Sequence, residues 1–367
     1  MSAYSLRTEY ALYALVVACV AYIGLWVFRK RNILDRPGHD WIPPRLFKVP
    51  NFQGIVLIVG LWIWLLSFFP ELLYVAKIKW LLIIATGYGV FNFVNDIVDR
   101  KGDMTGIPAK YRLVVQILFV WLYVRISWMY QDITIFGFEP HPVLAFGFSW
   151  FWILGFINAI NFFDGSHAMT AGVTAIGYVA VAVIIQTVVL SIYAVAGDNL
   201  LLMNGITQLC ILFAISCLVY LVVEYKPSGV LRDVWISFIG FTLGALSLLW
   251  WAKLGTMLLV LFLPICDSMR VFLNRIVIMR KNPMKGDYTH LHHRLMKLWL
   301  QRSEVRWPIR AFTLTMLLLL ILLGEWSIDK LIIFAWFALL FFGVHIYLYR
   351  FKKIPFELLK KEKKQED

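Results

Sequence analysis

Long apolar runs separated by short polar connections set the pattern of this chain. Runs that can span a bilayer cover roughly 11–28, 54–69, 80–95, 113–129, 143–163, 169–195, 201–223, 235–251, 255–271, 310–324 and 330–349. Each is near the length that a hydrocarbon core of about 30 Å demands of a helix. The second is short, and the sixth is long enough to tilt or to end on the surface. Polar residues do not recur at every second position, which excludes a transmembrane barrel. The pattern predicts an all-α, polytopic integral membrane protein of about eleven transmembrane helices. Residues 1–349 form a single transmembrane domain, and 350–367 form a basic tail.

Composition agrees, and it narrows the class. Of the 367 residues 61% are hydrophobic and 16% charged, well below the roughly one quarter charged that a soluble domain carries. A soluble enzyme, a disordered chain and a fibrous repeat are thereby excluded. The four cysteines, Cys19, Cys210, Cys217 and Cys266, lie inside apolar runs and read as small buried hydrophobes. The first run lacks a small-residue cleavage site and is followed by Arg29-Lys30-Arg31, which predicts a retained helix.

The net charge of +13 invites a nucleic-acid reading until the charges are placed. With eleven spans, 29 of the 35 Lys and Arg fall in segments 29–53, 96–112, 224–234, 270–310 and the tail; the other set holds 6. That asymmetry assigns the first set to the cytoplasm, the C-terminus with it and the N-terminus outside. The basicity is a topology signal, with anionic lipid and substrate phosphates as secondary beneficiaries. It requires no nucleic acid.

Polar residues at the ends of apolar helices are costly and therefore informative. Asp96, Asp99, Asp103, Asp164, Asp233, Asp267 and Asp287 all fall on the predicted cytoplasmic side, as do His167, His290, His292 and His293. Carboxylates beside many cations suit a divalent metal that meets phosphates. In Asn95-Asp96-Ile97-Val98-Asp99-Arg100-Lys101-Gly102-Asp103 the three aspartates share one face if helix continues. The competing reading is a solvated helix end paired with Arg100 and Lys101. Lys110 and Arg112 follow and suit a phosphate.

Asn158 and Asn161 lie one turn apart on an otherwise apolar helix, where amides need a ligand or each other. Asp164-Gly165 after them also ends a helix by turn chemistry. Arg232-Asp233 precedes the eighth run, where an Asp is in addition a good N-cap. His290-Leu291-His292-His293 can bind a transition metal, contact phosphates or do neither. Its spacing does not match the i, i+4 pair of a zinc helix, so phosphate contact is the preferred reading.

Taken in order, these motifs resemble the polyprenyl-phosphate N-acetylhexosamine-1-phosphate transferases, intramembrane enzymes that start bacterial cell-wall and surface-glycan synthesis. Leu34-Asp35-Arg36-Pro37-Gly38 is similar to the family's first cytoplasmic loop, and Lys48-Val49-Pro50 with Gly54 to its Lys-x-Pro stretch. Asn95-Asp96, with Lys110 and Gln116 beyond, stands where the family has an Asp-Asp pair. Asn158 to Gly165 resembles its Asn-x-x-Asn-x-x-Asp-Gly signature, and Asp233 with Gly240-Phe241 its Gly-Asp position. Leu263-Pro264 and Asp267 match the end of the ninth helix. His290-Leu291-His292-His293-Arg294-Leu295 is similar to the His-x-His-His motif of members that transfer N-acetylglucosamine-1-phosphate.

The resemblance implies attack of a membrane polyprenyl (undecaprenyl) phosphate on the β-phosphate of a UDP-sugar, releasing UMP, at the inner membrane. It implies magnesium, with manganese as a substitute, held by Asp233 and Asp96. Asn95 and Asp99 complete the catalytic set. Lys48, Asn161 and Asp164 bind the nucleotide and His290, His292 and His293 the diphosphate; Asn158, Lys110, His167 and Arg232 complete the substrate contacts. The partners are the lipid acceptor, the nucleotide-sugar donor and membrane lipids, and a homodimer is compatible with the sequence.

The chain departs from the family pattern at four places. Asn95 replaces an Asp, His167 replaces an Asp associated with the uracil ring, Arg232 replaces Gly, and Val234-Trp235-Ile236 replaces a run of small residues. These departures keep a second reading open: a family member that has lost catalysis and acts as scaffold or lipid binder. Asn95-Asp96-x-x-Asp99-x-x-x-Asp103 also fits a magnesium-dependent intramembrane prenyltransferase, but no second Asp-rich motif accompanies it. A transporter is disfavoured, since the acids gather at one face and not at the midplane.

Overall fold

The computed structural model describes residues 3–31, 53–99, 107–128, 130, 139–164, 169–186, 198–225, 232–249, 254–278, 280, 290–298, 304–323 and 327–350. Among them every regular element is a helix. In chain order these are α1 (Ala3–Lys30), α2 (Gln53–Phe68), a 3₁₀ turn (Pro70–Tyr74), α3 (Ala76–Asp99), α4 (Ala109–Ser127), α5 (Pro142–Phe163) and α6 (Met169–Ile184). They continue with α7 (Asp198–Tyr225), α8 (Arg232–Leu248), α9 (Leu254–Val260), α10 (Phe262–Leu273), α11 (Leu291–Leu298), α12 (Arg306–Leu323) and α13 (Ser327–Arg350).

A helix lies on each expected apolar run, but the runs do not all become simple spans. Five described helices are long and apolar enough to cross a membrane, or six if a bent pair counts as one; Gly54–Phe68, Met169–Ile184 and Asp233–Leu248 are apolar but shorter. The run 255–271, expected as one continuous helix, is instead broken: α9 and the helix beginning at Phe262 meet at 80°. Pro264 explains the correction. It has no N–H for the Val260 carbonyl, and its ring clashes with the preceding turn. Backbone bonds on either side, Leu261 N to Met257 O at 3.0 Å and Ile265 N to Leu261 O at 3.1 Å, flank the gap. Segment 270–310, read as a loop, carries the end of α10, all of α11 and the start of α12. Asp103 lies outside the described residues, and α3 closes at Asp99.

The bundle is organised around α8, buried from Val234 to Leu249 and packed on α2, α3, α5 and α6. Small residues let the backbones approach closely enough for dispersion and weak polar contacts to hold helices that the hydrophobic effect does not drive together in lipid. A Cβ on Gly240 would sit 3.0 Å from the Ile157 Cα, and one on Gly244 2.9 Å from the Phe156 Cβ. Buried hydroxyls tie the layers. Tyr178 Oη donates to Ile239 O at 3.0 Å, Trp152 Nε1 to Ser247 Oγ at 2.8 Å, and Tyr13 pairs with Ser216 at 2.7 Å.

Candidate active site

The crossings fix where the polar residues meet. In α5 Ile157 faces Gly240 and Ile153 faces Gly244, so α8 runs antiparallel to α5; Gly89 of α3 faces Val234, and Arg112, just beyond α3, reaches Asp233. The C-terminal ends of α3 and α5 therefore meet the N-terminal end of α8, at one end of the bundle.

At the first corner Asn92, Asn95 and Asp96 are buried on the last turns of α3, on one helical face. Asn92 Nδ2 donates to Tyr88 O at 2.9 Å. Asn95 Oδ1 accepts from the Ile107 N–H at 2.9 Å, pinning the residues before α4 to α3. A carboxylate oxygen could accept the same bond, so Asn at 95 keeps this tie and removes one negative charge. From α4, Arg112 Nη1 donates to Asp233 Oδ2 at 3.2 Å, with the side chains 38% and 34% exposed. Ion pairs this exposed are worth about 0–1 kcal/mol, so a ligand can displace Arg112 cheaply. The Tyr88 hydroxyl shares the neighbourhood with Asn92, Ser237, Asp233 and Arg112.

The second corner is built around Asp267 on α10, which is fully buried. Oδ1 accepts from Arg270 Nη2 at 2.7 Å and Nε at 3.2 Å, and Oδ2 from His290 Nδ1 at 3.1 Å. Both oxygens lie 3.0 Å from the Leu291 N–H. Leu291 is the first residue of α11, so a carboxylate 24 positions upstream caps that helix. An ionised carboxylate only accepts, so His290 Nδ1 carries the proton and its Nε2 is left for another partner. His290 stacks on His292 with centroids 5.9 Å apart and lies 6.0 Å from the Phe162 ring of α5. Burial and the nearby positive charge of Arg270 push Arg294 down to about 10, which leaves it charged at neutral pH.

Between the corners stands the end of α5. Asn158 Nδ2 donates to Leu154 O at 2.7 Å. Asp164 breaks the helix and accepts from Thr170 Oγ1 at 2.7 Å, joining the end of α5 to the start of α6. Asn161 is half-buried on the preceding turn. Lys110 is exposed, its ammonium 4.8 Å from the Tyr111 ring centroid. Lys48 and His167 lie outside the described residues. For Asp99, Arg232 and His293 only the backbone, within α3, α8 and α11, is described.

Two residues, Asn92 and His345, go beyond the sequence-derived site, and a third has a partner that the sequence does not disclose. Arg112, read as a phosphate contact, lies on Asp233. Asn92 repeats the signal that flagged Asn158, a buried amide in an apolar helix. His345 of α13 donates from Nδ1 to Phe341 O at 2.7 Å and faces the charges of Arg270, Arg294 and Asp267. No local pattern marks it, because its neighbours are far away in sequence.

Among the described residues no three His, Cys, Asp or Glu side chains are grouped closely enough to cage a metal ion. Magnesium does not need such a cage: it keeps waters and commonly takes one or two carboxylates together with substrate phosphates. The oxygen-only donors of Asp96 and the accessible Asp233 fit that habit.

Residues 96–251 match the sequence model described as Glycosyl transferase family 4. A probable undecaprenyl-phosphate N-acetylglucosaminyl 1-phosphate transferase of Bacillus subtilis (strain 168) is 30% identical over 286 residues, covering 73% of this chain and 70% of the relative. The chain belongs to glycosyl transferase family 4. Phospho-N-acetylmuramoyl-pentapeptide-transferases are more distant in coverage. That of Enterococcus hirae is 27% identical over 184 residues, 46% of this chain and 55% of the relative. That of Streptococcus suis (strain 05ZYH33) is 29% identical over 191 residues, 48% and 57%. The chain spans about half the length of these two. This branch of family 4 consists of membrane-embedded polyprenyl-phosphate sugar-1-phosphate transferases, generally dependent on a divalent metal. The family match ends before Asp267 and the histidines, so the second corner rests on its own geometry.

Proposed function

We propose that the protein transfers a sugar-1-phosphate, N-acetylhexosamine-1-phosphate, from a UDP-sugar to a membrane polyprenyl phosphate. An acceptor phosphate oxygen attacks the β-phosphorus of the donor. The bond from that phosphorus to the bridging oxygen breaks, and UMP leaves with the electron pair. The product is a polyprenyl-diphospho-sugar that primes cell-wall or surface-glycan synthesis. The observation that supports this reading is that an accessible carboxylate, Asp233, and a buried Asp–His–Arg cluster lie at the same end of an apolar bundle.

Phosphoryl transfer asks for positioning and charge neutralisation more than covalent help. Asp233 and Asp96 would hold magnesium, which supplies positive charge to the diphosphate. Arg112, released from Asp233, and Lys110 then face the acceptor phosphate, with Arg232, Asn95 and Asp99 on the same rim. The acceptor is a phosphate monoester with a second pKa near ~6, so it is largely dianionic at neutral pH and gains little from a base. Asn95 is therefore compatible with turnover. Asn158, Asn161 and Asp164, with Lys48 and His167, take the nucleotide. His290, His292 and His293 take the diphosphate, His290 with its tautomer set by Asp267. The Lys and Arg distribution supports a cytoplasmic site in the inner membrane, with the N-terminus outside.

The test uses membranes expressing the protein, undecaprenyl phosphate, magnesium and a panel of labelled UDP-sugars. Label passing into lipid, abolished by a chelator and by Asp233→Asn, is the expected result. Absence of transfer from every UDP-sugar, in membranes where a related enzyme works, would overturn the proposal.

A further inference from the structure

The polar face of α10 is continued, just past its last residue, by an amide that the scheme above does not use. Asn274 is 5% exposed, and neither its Oδ1 nor its Nδ2 has a hydrogen-bond partner among the described residues. A buried amide left unpaired carries its full desolvation penalty, so each such group requires an explanation. In Gln116 the Nε2 alone is both fully buried and without a partner, whereas in Asn274 a donor and an acceptor are.

Its position is informative. Asp267, Arg270 and Asn274 fall at i, i+3 and i+7 and share one face of the helix, and Arg275 beside it is buried as well. That face continues the cluster of Arg270, His290 and Arg294. The helix also changes winding here. The Asn274 N–H is shared between the Arg270 and Val271 carbonyls, and Asn274–Ile278 forms a π-helical turn. Such turns are less stable than α-helix and occur frequently at functional sites.

We infer that Asn274 is a specificity-determining residue that reads the 2-acetamido group of the donor sugar. The inference rests on the transferase reading above. A side-chain amide with both functions unmet is the complement of an acetamido group, whose N–H donates and whose C=O accepts. Uracil offers the same pair, but a ribose separates the base from the phosphates. The acetamido nitrogen is on C2, next to the carbon that bears the phosphate. Asn274 shares its helix face with Asp267, which holds His290, a diphosphate contact in the scheme above, so the amide is placed for the sugar beside its phosphate.

The experiment measures transfer from UDP-N-acetylglucosamine and from UDP-glucose in detergent-solubilised full-length protein, for the native chain, Asn274→Leu and Asn274→Gln. A site built to hydrogen-bond a substrate group strongly rejects the analogue that lacks it. The native chain is expected to prefer the acetamido donor by 100-fold or more in kcat/KM. Asn274→Leu should bring that preference within about 10-fold by losing activity on the acetamido donor, and Asn274→Gln should restore part of it. Removing an unpaired amide should also leave the melting temperature unchanged or raised. A lower melting temperature for Asn274→Leu would make the amide a structural group and overturn the inference. So would an unchanged preference, or an equal loss on both donors. If the native chain transfers from no UDP-sugar of the panel above, the transferase reading fails and this inference with it; native transfer that does not favour the acetamido donor, or discrimination unaltered in Asn274→Leu, defeats the inference alone.

Discussion

Asp233 and Asp267 are the same side chain at the same end of the bundle, in opposite circumstances. Asp233 is one-third exposed and meets one guanidinium at 3.2 Å. Asp267 is fully buried and accepts from Arg270, His290 and the Leu291 amide, with separations from 2.7 to 3.2 Å. The first carboxylate keeps its lone pairs available for exchange. The second has committed them to fixing an arginine, a histidine tautomer and the start of a helix. An active site needs both kinds, a group that changes partners during turnover and a group that never does.

Variants can separate the two roles, and the largest effect is expected at Asp267. Removing one member of a buried charged cluster leaves the others uncompensated, at a cost of about 3–5 kcal/mol. Asp267→Ala should therefore melt several degrees below the native chain in detergent. A variant that melts normally and merely loses activity would move Asp267 into the exchangeable class. Asp233→Asn should do the reverse. Its thermal unfolding should be near native while transfer falls on the order of 10²–10³-fold, as when a preorganised electrostatic partner is lost. The smallest effect belongs to Arg112→Gln. An exposed pair is worth at most about 1 kcal/mol, so freeing Asp233 should lower the magnesium concentration for half-maximal transfer by no more than about 5-fold. A rise in that concentration would mean that Arg112 supports the metal instead of competing with it.

The same contrast shows what the sequence could and could not disclose. Asp233, Asn158 and Asp164 were legible because a polar residue beside an apolar run stands out locally. The helices were legible for the same reason, down to the ends of α5. The role of Asp267 was not. It sits in a run with Arg270 three positions on, an arrangement equally suited to a helix end, and the partners that define it are at 290 and 291. The break at Leu261 is hidden by the apolar length of the run, against which Pro264 is a single local signal. His345 gives no local signal, since its charged neighbours come from α10 and α11.

That break has a consequence for how the protein enters the membrane. Seven residues of α9 rise only about 10 Å, a third of the roughly 30 Å hydrocarbon core. Neither this piece nor the amphipathic α10 can be secured by its own partitioning into lipid. Both must be held by α6, α12 and α13 on one side and α5 on the other. The polar end of the bundle is therefore completed only when the last two long helices have been inserted, so a chain interrupted before α12 would carry Asp233 in place and leave the histidine corner unassembled.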